Sequence, residues 1–121
     1  METKKRVLLV DDEPGILRFV TTYLTSANYE VITATNGSEA LQSAADNKPD
    51  IILLDLLMVP MGGADVLKKL RTFSQVPVII VTALSISAEQ VRQMGANNFI
   101  AKPFKPEKLV RKIEATLKRK T

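Results

Sequence analysis

Three carboxylates, one hydroxyl and one ammonium stand where apolar runs end. Val7 to Val10 leads into Asp11 and Asp12, Ile51 to Leu54 into Asp55, Val78 to Val81 into Thr82, and Phe99 to Ala101 into Lys102 and Pro103. If these runs are neighbouring strands, the three acids gather, and carboxylates a few ångströms apart repel by about 1 kcal/mol or more even when well screened. One lysine does not balance them. A divalent cation with oxygen ligands does, and magnesium fits because it takes one or two carboxylates together with phosphate oxygens and water; manganese is the alternative.

Such a pocket suits a phosphoryl group. A carboxylate can attack phosphorus to give an acyl phosphate, and positioning with charge neutralisation supplies most of that catalysis. Asp55 is the nucleophile candidate because its strand would be flanked by the first and fourth, with Asp11 and Asp12 then holding the metal. Thr82 offers a hydroxyl to the phosphoryl oxygens and Lys102 an ammonium to the phosphate. Singly, each has an ordinary reading. Paired acids after a strand cap helices, threonines end strands by propensity, a lysine lies at the surface, and Phe99 reads as core. Four matched strand ends tip the balance toward chemistry.

The elements that must position these groups alternate. Helical periodicity between the strands marks βαβ units feeding a parallel sheet, so the class is α/β. Pro14 opens a helix with Ile16, Leu17, Val20 and Leu24 on one face, broken at Ala27 and Asn28. Val31 to Ala34 is the second strand. Ser38 is the expected cap of a helix bearing Ala40, Leu41 and Ala44 that stops before Pro49. Gly62 and Gly63 open the next loop, and Ala64 to Arg71 should form a helix with Val66, Leu67 and Leu70 inward. Ser87 and Gln90 have capping-box spacing before a thin stripe of Val91 and Met94, with Gly95 ending that helix. Few anchors mean easy movement there. The last helix begins near Pro106 and turns Leu109, Val110, Ile113 and Leu117 to the sheet, with Lys118, Arg119 and Lys120 in its final turn. For strand order 2-1-3-4-5, ligands bind beyond the carboxyl edge between strands one and three, the strands that carry the acids.

Composition removes other chemistries. The 121-residue chain has no cysteine and no histidine, which excludes thiol nucleophiles, disulfides, imidazole bases and the usual zinc ligands. Its length is that of one domain, residues 1–121, with 45% hydrophobic and 25% charged residues. METKKR is too short and polar for a signal peptide or membrane span, so the expected location is the cytoplasm. The net charge of +4 is spread out and not interleaved with aromatics, which argues against direct nucleic-acid binding.

VLLVDDEP at 7–14, LLDLLM at 53–58, IIVTAL at 79–84 and FIAKPF at 99–104 together resemble the receiver domain of bacterial two-component response regulators, of the single-domain chemotaxis-regulator kind. The resemblance spans the chain and implies the flavodoxin-like fold of five strands and five helices. Residue by residue, it implies Asp55 as phosphoacceptor, Asp11 and Asp12 as magnesium residues with the Leu57 backbone carbonyl, Thr82 and Phe99 as the switch pair, and Lys102 as the phosphate lysine. It also implies a cis Lys102–Pro103 peptide. The implied donor is a phosphohistidine of a sensor histidine kinase or phosphotransfer protein, and the implied readout is a changed surface of helix four, strand five and helix five that meets a downstream target or output domain. On this reading the chain is a signalling phosphoacceptor that catalyses its own phosphorylation and dephosphorylation. Leu57 and Leu84 are apolar at positions flanking the pocket where the family varies, which predicts a long-lived phosphoryl state. Asn97 and Asn98 stand where many transcription-factor receivers carry acids that pair with helix five across a dimer.

Two rivals use similar parts. A flavin carrier needs a hydroxyl- and glycine-rich phosphate loop where this chain has two acids, and it would be yellow. An aspartyl hydrolase wants a second aspartate two residues after the nucleophile, where Leu57 stands.

Overall fold

Residues 3–119 are described by a computed structural model. The apolar runs form strands β1 (Arg6–Val10), β2 (Glu30–Ala34), β3 (Ile51–Asp55), β4 (Val78–Thr82) and β5 (Asn98–Ala101), paired in parallel in the order β2-β1-β3-β4-β5. Between and after them lie α1 (Pro14–Ser26), α2 (Gly37–Asn47), α3 (Gly63–Leu70), α4 (Ala88–Gln93) and α5 (Pro106–Arg119). The architecture is the expected flavodoxin-like one.

Side chains alternate across a pleated strand, and here both sets are buried, so the inner strands read as continuous apolar runs rather than as alternating ones. Leu8, Val10, Ile52, Leu54, Val78 and Ile80 pack against Ala40, Ala44, Val66, Leu67, Leu70 and Val91 of α2, α3 and α4. Val7, Leu9, Ile51, Leu53, Ile79 and Val81 pack against Val20, Leu24, Leu109 and Ile113 of α1 and α5.

Several boundaries differ from the sequence reading. Asn36, not Ser38, caps α2: its side chain accepts from the Glu39 N–H at 2.8 Å, and Glu39 returns to accept from the Thr35 N–H at 2.7 Å. The helix therefore starts before Ser38 has a chance to cap it. Around α4 the capping box forms as expected, with Ser87 Oγ accepting from Gln90 N–H at 3.1 Å and Gln90 Oε1 from Ser87 N–H at 2.9 Å. Val91 is the buried residue of this short helix, and Gly95 follows with φ +91°. The Lys102–Pro103 peptide is cis, as the resemblance implies, and so is Val59–Pro60, which nothing in the reading above anticipates. Lys120 lies outside the described residues.

Arg71, just past α3, is a half-buried staple rather than a solvated charge. Its guanidinium donates to the carbonyls of Gly95 (3.0 Å), Ser74 (3.0 Å) and Val76 (2.8 Å) and to Asn97 Oδ1 (3.3 Å). Only arginine offers that many donors in a fixed fork. The end of α4 is thus tied to the end of α3.

Candidate functional site

Parallel pairing fixes where the chemistry goes. Val10 pairs with Leu54, Asp55 with Val81, and Thr82 with Ala101, so each loaded residue lies at the same carboxyl edge of the sheet. Asp11 and Asp55 are buried, with 2% and 4% of their surfaces exposed, while Asp12 is exposed beside them. One carboxylate oxygen from each of the three lies within 4.8 Å of the others.

Lys102 bridges the buried pair. Its Nζ is 2.9 Å from Asp11 Oδ2 and 3.5 Å from Asp55 Oδ2, and 4.0 Å from Glu13 Oε1 at the rim. Backbone donors hold the remaining oxygens: Glu13 N–H bonds Asp11 Oδ1 at 2.9 Å and Leu57 N–H bonds Asp55 Oδ1 at 3.1 Å. The β4 and β5 ends are joined by the Lys102 N–H to the Thr82 carbonyl at 2.8 Å. Burial pushes the Asp55 carboxyl above its ordinary pKa, with Asp11 adding repulsion against the opposing pull of the Leu57 N–H and Lys102. Burial alone would lower the Lys102 ammonium, but Asp11 and Asp55 outweigh it and its pKa is raised. A raised acid beside a raised base describes a pocket with surplus negative charge.

Thr82 is fully buried, and its Oγ1 accepts from Leu84 N–H at 3.0 Å, a bond that uses a lone pair and not the hydroxyl proton. Leu57 and Leu84 turn half-exposed side chains outward while their N–H groups hold Asp55 and Thr82. Phe99 is not in the pocket. It is half-buried against the α2–α4 core, with Lys112 Nζ 5.2 Å from its ring centroid.

Two residues of the site were missed by the sequence reading. Glu13 extends the acid pair to a run of three, a signal that was present. Gly63 was read as loop but starts α3, where an added Cβ would fall 2.5 Å from the Asp55 carbonyl oxygen and 2.8 Å from Leu56 Cα. Nothing in the sequence announces that close approach.

Known proteins carry the same arrangement of fold and sequence. A response regulator receiver domain family model matches residues 7–114. The chain is 40% identical to the transcriptional regulatory protein KdpE of Mycobacterium tuberculosis over 95% of its length and 52% of that protein, and 39% identical to the probable transcriptional regulator ycf27 of Guillardia theta over 98% and 48%. It thus spans about half the length of these curated relatives. Among solved structures, the chemotaxis protein CheY4 of Vibrio cholerae superposes with a TM-score of 0.87 at 34% identity, covering 94% of this chain and 99% of that one. With this sheet order and a family model matched over residues 7–114, the chain belongs to the receiver domain family of two-component response regulators.

Proposed function

We propose that the chain, as one receiver domain, accepts a phosphoryl group on Asp55 from the phosphohistidine of a sensor histidine kinase or a phosphotransfer protein. The observation that carries the reading is the convergence of Asp11, Asp12 and Asp55 with Lys102 bridging two of them. An Asp55 oxygen attacks phosphorus, the new O–P bond forms as the P–N bond to the imidazole breaks, and the electron pair leaves with the donor's nitrogen. Lys102 moves from its carboxylate partners to a phosphoryl oxygen, a charge-assisted bond. Thr82 donates its unspent hydroxyl proton to another, loosening the Leu84 bond, and Phe99 turns into the space that opens.

The donor set fits magnesium, or manganese: it is all-oxygen, strongly acidic and open to water at Asp12, so that Asp11, Asp12 and Asp55 would hold the ion, with the Leu57 carbonyl as the further ligand that the family resemblance implies. When bound, the ion neutralises and orients the phosphoryl oxygens. Saturating magnesium at about a hundredfold over Kd should add about 2.7 kcal/mol, on the order of 10 °C in Tm, and Asp12→Asn should remove most of that gain in a melting experiment.

The altered surface is α4, β5 and α5, where a downstream target or an output domain engages, a reading favoured by relatives named as transcriptional regulators. The domain itself works in the cytoplasm without contacting DNA or membrane, as a switch that catalyses its own phosphorylation and dephosphorylation. On the reading that apolar Leu84 keeps water from the acyl phosphate, Leu84→Asn should speed loss of the phosphoryl group by roughly 3- to 10-fold, read as decay of the phosphorylated protein; an unchanged rate removes the shielding idea. The reading as a whole is tested by intact mass after incubation with acetyl phosphate and magnesium. One added phosphoryl group supports it; no gain, or continuing turnover of phosphate esters, overturns it.

A further inference from the structure

Arg71 is a cation without an anion. Among the described residues no carboxylate pairs with its guanidinium, and burial draws that group below its ordinary pKa. A charge held partly out of water is costly unless its shape does something that a solvated lysine cannot. Complementing the α3 dipole needs no such burial, and Lys68 and Lys69 already stand in that last turn. The acceptors tell what the shape is for. The Ser74 and Val76 carbonyls lie on the lead into β4, and the Gly95 carbonyl and Asn97 Oδ1 lie on the lead into β5. One planar group therefore spans the entries of both strands. Asn97 completes the join: the same Oδ1 accepts from the Val78 N–H at 2.9 Å, and the Asn97 N–H donates to the Val78 carbonyl at 2.9 Å.

We propose that Arg71 is a positioning residue for the candidate site: by clasping the entries of β4 and β5 it sets the register that brings Thr82 and Lys102 level with each other at the far edge, beside Asp55. The inference rests on the proposed phosphoryl transfer for its consequence in function, whereas its structural half stands without that reading. β5 needs such a clasp. It is an edge strand of four residues, paired with β4 alone, and Ile100 is its buried side chain. Packing specifies the register of such a strand weakly. A slip of one residue would carry Lys102 about 3.3 Å along β4 and turn the strand's side chains to the opposite faces. Its ammonium, now 2.9 Å from Asp11 Oδ2 and 3.5 Å from Asp55 Oδ2, would lose both partners. β1 and β3 have a strand on either side and need no equivalent. The turn that feeds β5 is shaped around the guanidinium, since Gly95 takes φ +91° there and offers its carbonyl to Arg71 Nε at 3.0 Å. Lysine at this position presents a single point of charge and cannot reach acceptors on both leads at once.

The test compares Arg71→Lys and Arg71→Ala with Val20→Ala, which loosens the core on the α1 side and leaves both strand entries intact. Amide hydrogen exchange of the full chain is read first, without phosphodonor. In Arg71→Lys, exchange should quicken roughly tenfold at Asn97, along β5 and at Lys102, whose N–H bonds the Thr82 carbonyl, while β1 stays unchanged. Phosphate uptake from acetyl phosphate and magnesium is read next, well below each variant's Tm. It should slow about tenfold in Arg71→Lys, further in Arg71→Ala and hardly at all in Val20→Ala. Methylguanidinium added to Arg71→Ala should restore part of both the uptake and the exchange protection. Arg71→Lys, which keeps the charge and the stem, carries both measurements even where Arg71→Ala fails to fold. Unchanged exchange at β5 and Lys102, exchange raised equally in β1, or uptake slowed no more than in Val20→Ala would each overturn the proposal. No uptake by the natural chain would instead strike the phosphoacceptor reading, and the exchange measurement would still decide the register.

Discussion

Asp55→Asn is expected to take up no phosphate at all from acetyl phosphate or a phosphohistidine donor, while its melting curve remains cooperative. The substituted amide keeps the shape and one acceptor oxygen, so the Leu57 N–H bond at 3.1 Å can persist, but it is no nucleophile toward phosphorus. The fold should be no weaker for it. Burial already disfavours the Asp55 carboxylate, and its neighbour Asp11 adds to that, so a neutral group there relieves repulsion near pH 7. Loss of uptake together with retained or improved stability separates a chemical role from a structural one. Residual labelling comparable to the natural chain would place the acceptor elsewhere, with Asp11 and Asp12 the neighbouring alternatives.

Gly63→Ala should be strongly disruptive, because the methyl added at the start of α3 has no free space to occupy. The added Cβ meets main-chain atoms, the Asp55 carbonyl oxygen at 2.5 Å and Leu56 Cα at 2.8 Å, and neither can swing away as a side-chain tip could. Either the start of α3 or the strand end carrying Asp55 must move. Overpacking of this kind costs about 1–3 kcal/mol or more, and here the displacement is delivered to the residue whose placement matters most. Chemical denaturation should register the lost stability, and phosphate uptake should slow more than stability alone explains. By contrast, an added Cβ at Gly62 meets only an ordinary contact of 3.5 Å with Leu56 O, so Gly62→Ala serves as the mild control.

These two glycines show where sequence reading stops. Adjacent and alike in the sequence, they differ only in what approaches them in space. The strands were legible because both faces are buried and each run is apolar throughout, whereas strand order came with the receiver-domain resemblance and not from periodicity. The capping box of Ser87 and Gln90 was legible because its spacing is its mechanism. The α2 cap was not, since Asn36 and Ser38 are both good caps and the choice was made by where the chain leaves β2. Arg71 looked like one more surface charge, because its acceptors, the Gly95, Ser74 and Val76 carbonyls, belong to loops whose proximity only the folded α3–α4 corner creates. Asp11, Asp12, Asp55 and Lys102 could be anticipated as neighbours, while the reach of Glu13 toward the lysine depended on a side-chain direction no pattern encodes.

The bond between Asp11 and Lys102 joins residues 91 positions apart. A nascent or truncated chain that has completed its first three strands still lacks the counter-charge that holds two acids in one place. On the proposed function, competence to be modified therefore arrives late in assembly, and a partly unravelled molecule whose final third has come away should take up no phosphoryl group before it melts. Labelling by a small phosphodonor thereby doubles as a gauge of whether the last strand is seated.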